Sequence, residues 1–473
     1  MFKKLLLFPL TIACSLFGCV KGNEINENMK EKNNKPIFHI TGEKGWINDP
    51  NGVVKFQGKY HVFFQYHPYS NEWGPMHWGH VVSTDLLNWE YLPIALTPGD
   101  EFDKNGCFSG SSIVVGNRLY VVYTGYIANE VEENVIQQQC LAYSDDGVNF
   151  TKLGLIIGKD KLPEGYASND FRDPKIFRRD DTFYLLVAAR KLDEKGRILL
   201  YKSYDLLNWE FVSDALEEGS TGKMIECPDY IEDLGLLTYC EQDQTVDGYA
   251  HLNINSTYYR HGELKDNKFI SDSYGTVDYG FDFYAPQTIA GENILVGWME
   301  MWGRTYPSAK YGFVGQLTVP RYVSVENGKM LQKPVIFGEI SKKVNISNAY
   351  SDRLSIGTLE LQVEDLKDFS ISLRKGGGEE TKFYLDGNDF VFDRSKSGEK
   401  IDGLEKDELS LKGIRKMPYK KKDKDTIYIV MDKYSVEIFV NGISSSNVIY
   451  SKETSDLFEI NVDAKSTELK IYK

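Results

Sequence analysis

Between residues 48 and 299 one pattern of polar and apolar positions returns five times. NDPNGVVKFQGKYHVFFQY (48–66), FSGSSIVVGNRLYVVYTG (108–125), RDPKIFRRDDTFYLLVAA (172–189), CPDYIEDLGLLTYC (227–240) and APQTIAGENILVGWM (285–299) share one plan. Each opens on a small, polar or Pro motif, runs through a short strand, turns at Gly, Asn or Asp, and continues into an apolar strand. With Pro50, Gly110, Pro174, Pro228 and Pro286 as markers, successive differences are 60, 64, 54 and 58 residues. A second series runs alongside: STDLLNWE (83–90), SDDGVNF (144–150) and SYDLLNWE (203–210). Units of this length cannot bury their own faces, so they predict radial repetition, a five-bladed β-propeller of four-stranded blades over residues 37–335. From residue 345 the pattern changes to short alternating strands such as RLSIGTLELQV, TKFYLDG, SVEIFVNG and ELKIYK. They predict a β-sandwich over 345–473. The expected fold class is therefore all-β, a five-bladed propeller followed by a C-terminal sandwich.

Equivalent positions of a propeller surround one axis, so the opening motifs should face the same end of the central channel. They carry Asn48-Asp49, Ser109, Arg172-Asp173 and Glu226-Cys227, which brings three carboxylates from three blades into one funnel. Trp46, Trp73 and Trp298 lie near enough in sequence to line it. Such a cluster suits either a hard cation or glycoside cleavage. No Asp/Asn-rich calcium loop occurs, and Trp faces stack well on sugar rings. Arg172 beside Asp173 is expected to keep that Asp ionised, and Glu226, with fewer obvious charge partners, is the better acid. Taken singly, a DP or an SGS is more often a turn than a site; three carboxylates at matched blade positions shift the balance.

Composition narrows the partners. The 473 residues carry a formal net charge of −14, which argues against a nucleic-acid groove or an anionic membrane surface. The basic run 415–425 has Asp interspersed and reads as a solvated loop. At the N-terminus MFKK and LLLFPLTIACSLFG form the charged and apolar parts of a signal segment over residues 1–18. The apolar part is too short to span a bilayer. It ends in LFGC, a lipobox-like sequence with Cys19 as the residue to be lipidated, and the only expected membrane contact is through that lipid. Residues 19–36 are a polar tether, with a reach on the order of 20–25 Å. The expected location is an exported lipoprotein of the cell envelope, with simple secretion or a periplasmic protein as the alternative. Cys107, Cys140, Cys227 and Cys240 show no metal spacing and read as buried small hydrophobes. His77 and His80 lack a HExxH context and read as packing residues, and Trp78 as core. No metal and no cofactor are expected.

WINDPNG (46–52), FFQYHP (63–68), WGPMHWGHVVS (73–83), GCFSGSS (106–112), FRDPKIF (171–177), ECPD (226–229) and YGFDFYAPQ (279–287) together resemble glycoside hydrolase family 32, the β-fructofuranosidases. DKYSVEIFVNG (432–442) resembles a signature strand of that family's sandwich. The resemblance implies a retaining hydrolase that releases fructose from sucrose, fructo-oligosaccharide or fructan. It makes Asp49 the nucleophile, Glu226 the acid/base and Asp173 the stabiliser of the transition state. Retention implies carboxyl groups of Asp49 and Glu226 about 5–5.5 Å apart. Asn48, Gln65, Trp73, Phe108, Ser109, Arg172 and Trp298 match positions around the fructosyl unit. Many relatives have a Trp near the position of Tyr311 or Phe313, which this chain lacks. The motifs look most like the sucrose and sucrose-6-phosphate branch, whereas an exported enzyme meets free sugars. The competing readings are an exo-acting inulinase or levanase, an inverting arabinanase-like glycosidase, and a surface glycan-binding lipoprotein without catalysis.

Overall fold

The computed structural model describes residues 34–131, 134–216, 222–289 and 291–473. The signal segment, Cys19 and nearly all of the tether lie outside the described residues. Residues 36–473 form one compact unit.

The fold is a five-bladed β-propeller followed by a β-sandwich. Each blade is four antiparallel strands, and their inner strands are Gly45–Phe56, Gly106–Val115, Tyr166–Arg179, Ile225–Ile231 and Tyr284–Ile289. Every inner strand packs against the next, and the fifth packs against the first. Gly45 and Trp46 also pair in parallel with Phe313 and Val314, beyond the second strand of blade five, so the ring is closed by hydrogen bonds. The repeat markers Pro50, Gly110, Pro174, Pro228 and Pro286 all fall on these inner strands.

Each inner strand breaks its ladder at the same place. Pairing skips Asn48-Asp49, Ser109, Asp173-Pro174, Cys227-Pro228 and Ala285-Pro286, residues left over where the partner strand advances by fewer positions. These are β-bulges, which re-aim side chains and increase local twist. Pro is tolerated there because it has no N–H for the ladder. Asp173, Cys227 and Ala285 take φ values of 61°, 48° and 47°. Left-handed backbone in non-glycine residues persists only where surrounding structure imposes it, commonly at functional sites.

The second repeat builds the turns between the third and fourth strands of blades one to three. Asp85 accepts from the backbone N–H groups of Leu87 and Asn88 and from Asn88 Nδ2, and Asp146 and Asp205 repeat the pattern with Asn149 and Asn208. Ser83, Ser144 and Ser203 complete each turn through their hydroxyls.

The sandwich consists of two six-stranded sheets over one core, including Leu359, Phe369, Phe383, Ile429 and Ile471. Its first strand is Ile340–Ile346, so the second domain begins before residue 345. The basic run is only partly a solvated loop: Arg415 is buried on a strand and bonds Glu405 at 2.9 Å. The segment 278–284 ties the sandwich to the propeller. Asp278 bonds Ser446, Asp282 accepts from the Val448 N–H and from Arg394, and Tyr284 enters the inner strand of blade five.

Candidate active site

Residues at or beside the bulges of the first four inner strands line a cavity of about 390 Å³. Its walls include Asn48, Asp49, Gln65, Trp73, Phe108, Ser109, Arg172, Asp173 and Glu226, all of them expected from the sequence. Asp49 stands half-buried at the first bulge. Ser109 Oγ donates to its Oδ2 at 2.7 Å and Asn48 Nδ2 donates to its Oδ1 at 3.0 Å. Trp46 Nε1 in turn donates to Asn48 Oδ1 at 2.9 Å, which fixes the orientation of the amide.

Asp173 is set by two neighbouring blades. Its N–H donates to Thr124 Oγ1 at 3.0 Å, and its Oδ2 accepts the Cys227 N–H at 3.0 Å. The Cys227 thiol, 3.6 Å from both Asp49 Oδ2 and Asp173 Oδ2, sits between the two carboxylates. Burial pushes that thiol well above its ordinary range, so it stays neutral. Cys227 is thus more than the buried small hydrophobe its sequence context implied.

Electrostatics around Glu226 reverse the expectation from sequence. Arg172 lies 3.9 Å from Asp173 but pairs with Glu226 Oε1 through Nη2 at 2.8 Å, and its Nη1 bonds Asp170 at 2.6 Å. Adjacency along the chain misled: at this bulge both side chains enter the cavity, and the guanidinium reaches past Asp173 to the carboxylate of the next blade. Tyr284 Oη donates to Glu226 Oε2 at 2.5 Å, so both carboxylate oxygens are held. Burial raises the Asp49 carboxyl above its ordinary value, opposed by the Ser109 and Asn48 hydrogen bonds. Burial likewise raises Asp173, to about 7, opposed by Arg172 and reinforced by Glu226 and Asp49.

That shift has a measurable consequence. A carboxyl whose value rises from 3.8 to about 7 on folding holds a proton that the unfolded chain releases. Its contribution to stability is full below about pH 4 and is lost as pH rises through about 7. Asp173→Asn is neutral throughout. It should therefore melt about 2–4 °C above the wild type at pH 8, with the gain vanishing near pH 4. Thermal scans across that range check it; a gain that grows toward acid would contradict the assignment.

Two aromatic placements differ from expectation: neither Trp46 nor Trp298 lines the cavity. Trp298 is fully buried between blades, and its ring packs against Trp46 and Trp302. Trp302, in the loop that follows, takes the place in the cavity wall and stacks on Trp46. Tyr311 stacks on Tyr434 of the sandwich, and Phe313 is buried. Trp73 stands 46% exposed at the rim, edge-on to Phe108, which stacks on Tyr126. Trp78 is buried and donates to the Phe108 carbonyl at 3.0 Å, supporting the wall from behind. His80 stacks on Phe63 and bonds His61, and His77 bonds the Pro75 carbonyl.

Reasoning from sequence missed Tyr284, Asp170, Gln137, Gln242 and Asn255. For Tyr284 a signal existed. Counting two residues back from each repeat marker gives Asn48, Phe108, Arg172, Glu226 and Tyr284, one ring of site residues. One residue back gives Asp49, Ser109, Asp173, Cys227 and Ala285.

Residues 39–334 match the family model for the Glycosyl hydrolases family 32 N-terminal domain, and 330–473 match the model for the family 32 C terminal. A sucrose-6-phosphate hydrolase of Zymomonas mobilis subsp. mobilis is 35% identical over 451 residues, covering 88% of this chain and 85% of the relative. The raffinose invertase of Escherichia coli is 34% identical over 431 residues, covering 86% and 87%. Among solved structures, the Bombyx mori GH32 β-fructofuranosidase superposes with a TM-score of 0.79 at 28% identity, covering 97% of this chain and 98% of that one.

Proposed function

The chain belongs to glycoside hydrolase family 32 and is a hydrolase that releases fructose from β-D-fructofuranosides; from that premise we propose which residues carry out the reaction and where. The observation that carries the assignment is the convergence of Asp49, Asp173 and Glu226, from three blades, on one cavity.

Asp49 attacks the anomeric carbon of the fructosyl unit. The C–O bond to the leaving group breaks, and a fructosyl ester forms on Asp49. Glu226 gives its proton to the departing oxygen, then takes one from the water that cleaves the ester and regenerates Asp49. Ser109 and Asn48 hold the attacking carboxylate in one orientation. Arg172 and Tyr284 do the same for Glu226. The acid/base role rests on that fixed position in the shared cavity. Asp173 hydrogen-bonds the fructose hydroxyls and, in its ionised form, stabilises positive charge at the oxocarbenium-like centre. Gln65 and Trp73 complete the pocket for the fructosyl unit, with Trp302 in the wall position that sequence gave to Trp298.

The purified protein should release fructose from sucrose and raffinose, and in methanol–water mixtures it should form methyl β-fructofuranoside with retained configuration. NMR of the first product settles the stereochemistry. An inverted product would remove Asp49 from the nucleophile role. Comparable release from inulin or levan would favour the fructanase reading over a disaccharidase.

For location, the MFKK start, the short apolar core and LFGC support an exported lipoprotein held through Cys19. Cys19→Ala should abolish incorporation of labelled fatty acid; unchanged labelling would place the lipid elsewhere.

A further inference from the structure

We propose that the outer part of this cavity takes a neutral sugar and rejects a phosphorylated one, so that the substrate is an unphosphorylated fructoside. The inference rests on the reading of the site given above and deepens it. It also sets this chain apart from the sucrose-6-phosphate hydrolases among the relatives it resembles.

Charge is the first ground. Four carboxyl groups line the cavity, Asp49, Asp170, Asp173 and Glu226, and among the described residues a single cation, Arg172, lines it with them. That guanidinium is already engaged: Nη2 and Nε bond Glu226, while Nη1 bonds Asp170 and Gln137. The cation standing behind Asp170, Arg190, is committed to Asp170 and to Glu194. A phosphate dianion normally needs paired Arg or Lys donors or a cluster of backbone N–H groups. Here it would meet carboxylates, in a chain whose formal net charge is −14.

The second ground is what the outer wall offers instead. Gln137, Asn169, Gln242 and Asn255 supply four side-chain amides, from blades two, three and four. An amide both donates and accepts, as a sugar hydroxyl does, and carries no charge. Tyr126, Trp302 and Trp73 add aromatic faces on which a second ring can stack. The cavity of about 390 Å³ lies toward the small end of ligand pockets, a size suited to a short saccharide.

The test compares kcat/KM for sucrose and sucrose-6-phosphate on the full protein, at low and high ionic strength. Sucrose should be favoured at least about thirtyfold at 0.05 M salt. The gap should narrow at 0.5 M, because screening weakens charge repulsion but leaves a steric misfit unchanged. Asn255→Lys, which adds a cation to the outer wall, should bring the two substrates at least fivefold closer. Equal kcat/KM for the two, or a preference for the phosphate ester, would overturn the proposal. So would a gap that ignores both salt and Asn255→Lys. Absence of fructose from sucrose, raffinose and sucrose-6-phosphate alike would instead sink the reading of the site, and this inference with it.

Discussion

Replacing Asp49 with Asn is expected to lower kcat for sucrose by at least about 10⁴-fold with little change in melting temperature. The amide keeps the size of the side chain and can still bond Ser109, so the bulge that carries it has no reason to rearrange. What disappears is the oxygen that must form the ester. Because the carboxylate shares its cavity with Asp173 and Glu226, removing its charge relieves repulsion, and a small gain in stability is consistent with the assignment. Steady-state fructose release from a preparation free of wild-type enzyme, with a parallel thermal scan, decides the matter. Retention of more than a tenth of wild-type kcat by a folded variant would exclude Asp49 as nucleophile.

Glu226→Gln gives the second large effect, and its form is more informative than its size. The variant cannot protonate a departing sugar oxygen, so kcat for sucrose should fall by about 10³-fold. An aryl fructoside, whose phenolate leaves without a proton, should still transfer its fructosyl group to Asp49 at close to the normal rate. Hydrolysis of the ester then lacks its base, so a burst of phenolate should precede a slow steady state. Mass spectrometry of the quenched protein should show one added fructosyl group. Azide needs no base to attack and should restore turnover of the aryl substrate. If burst, adduct and azide rescue are all missing, and both substrates lose rate equally, Glu226 is not the acid/base. Gln can still accept from Arg172 through its one carbonyl oxygen, and its amide N–H can donate to the Tyr284 hydroxyl, so a gross change in the pocket is not expected.

Much of this was readable in the chain before any coordinates. The spacing of Pro50, Gly110, Pro174, Pro228 and Pro286 located the inner strands, because Pro and Gly report a backbone constraint directly. The motif residues beside those markers carry the cavity for the same reason: the break in the ladder that tolerates Pro also turns Asp49, Ser109 and Asp173 inward. Pairings between blades were not readable. Arg172 reaches Glu226 of the next blade rather than its neighbour Asp173, a contact between blades that sequence adjacency hides. Trp298 misled because ILVGW is apolar throughout, so no alternation marks which side faces the cavity. Trp302 lies in an irregular loop whose path no local pattern fixes. The left-handed backbone at Asp173, Cys227 and Ala285 left no trace either, since the chain places no Gly there.

The closure of the ring bears on how the molecule is made. Gly45 and Trp46 pair with Phe313 and Val314, and the Leu317 N–H reaches the Ile40 carbonyl at 2.8 Å. The join is thus made between the two ends of the propeller sequence, a contact of high sequence separation whose loop-closure entropy is met late in folding. Until it forms, the first blade keeps an open edge able to recruit a strand from another chain. A chain with all five hairpin stacks but no seam would lack a complete cavity, because Asp49 stands three residues from Trp46. Recovery of activity on refolding should therefore lag recovery of β-sheet signal, the first timing the sealing of the circle and the second only the blades.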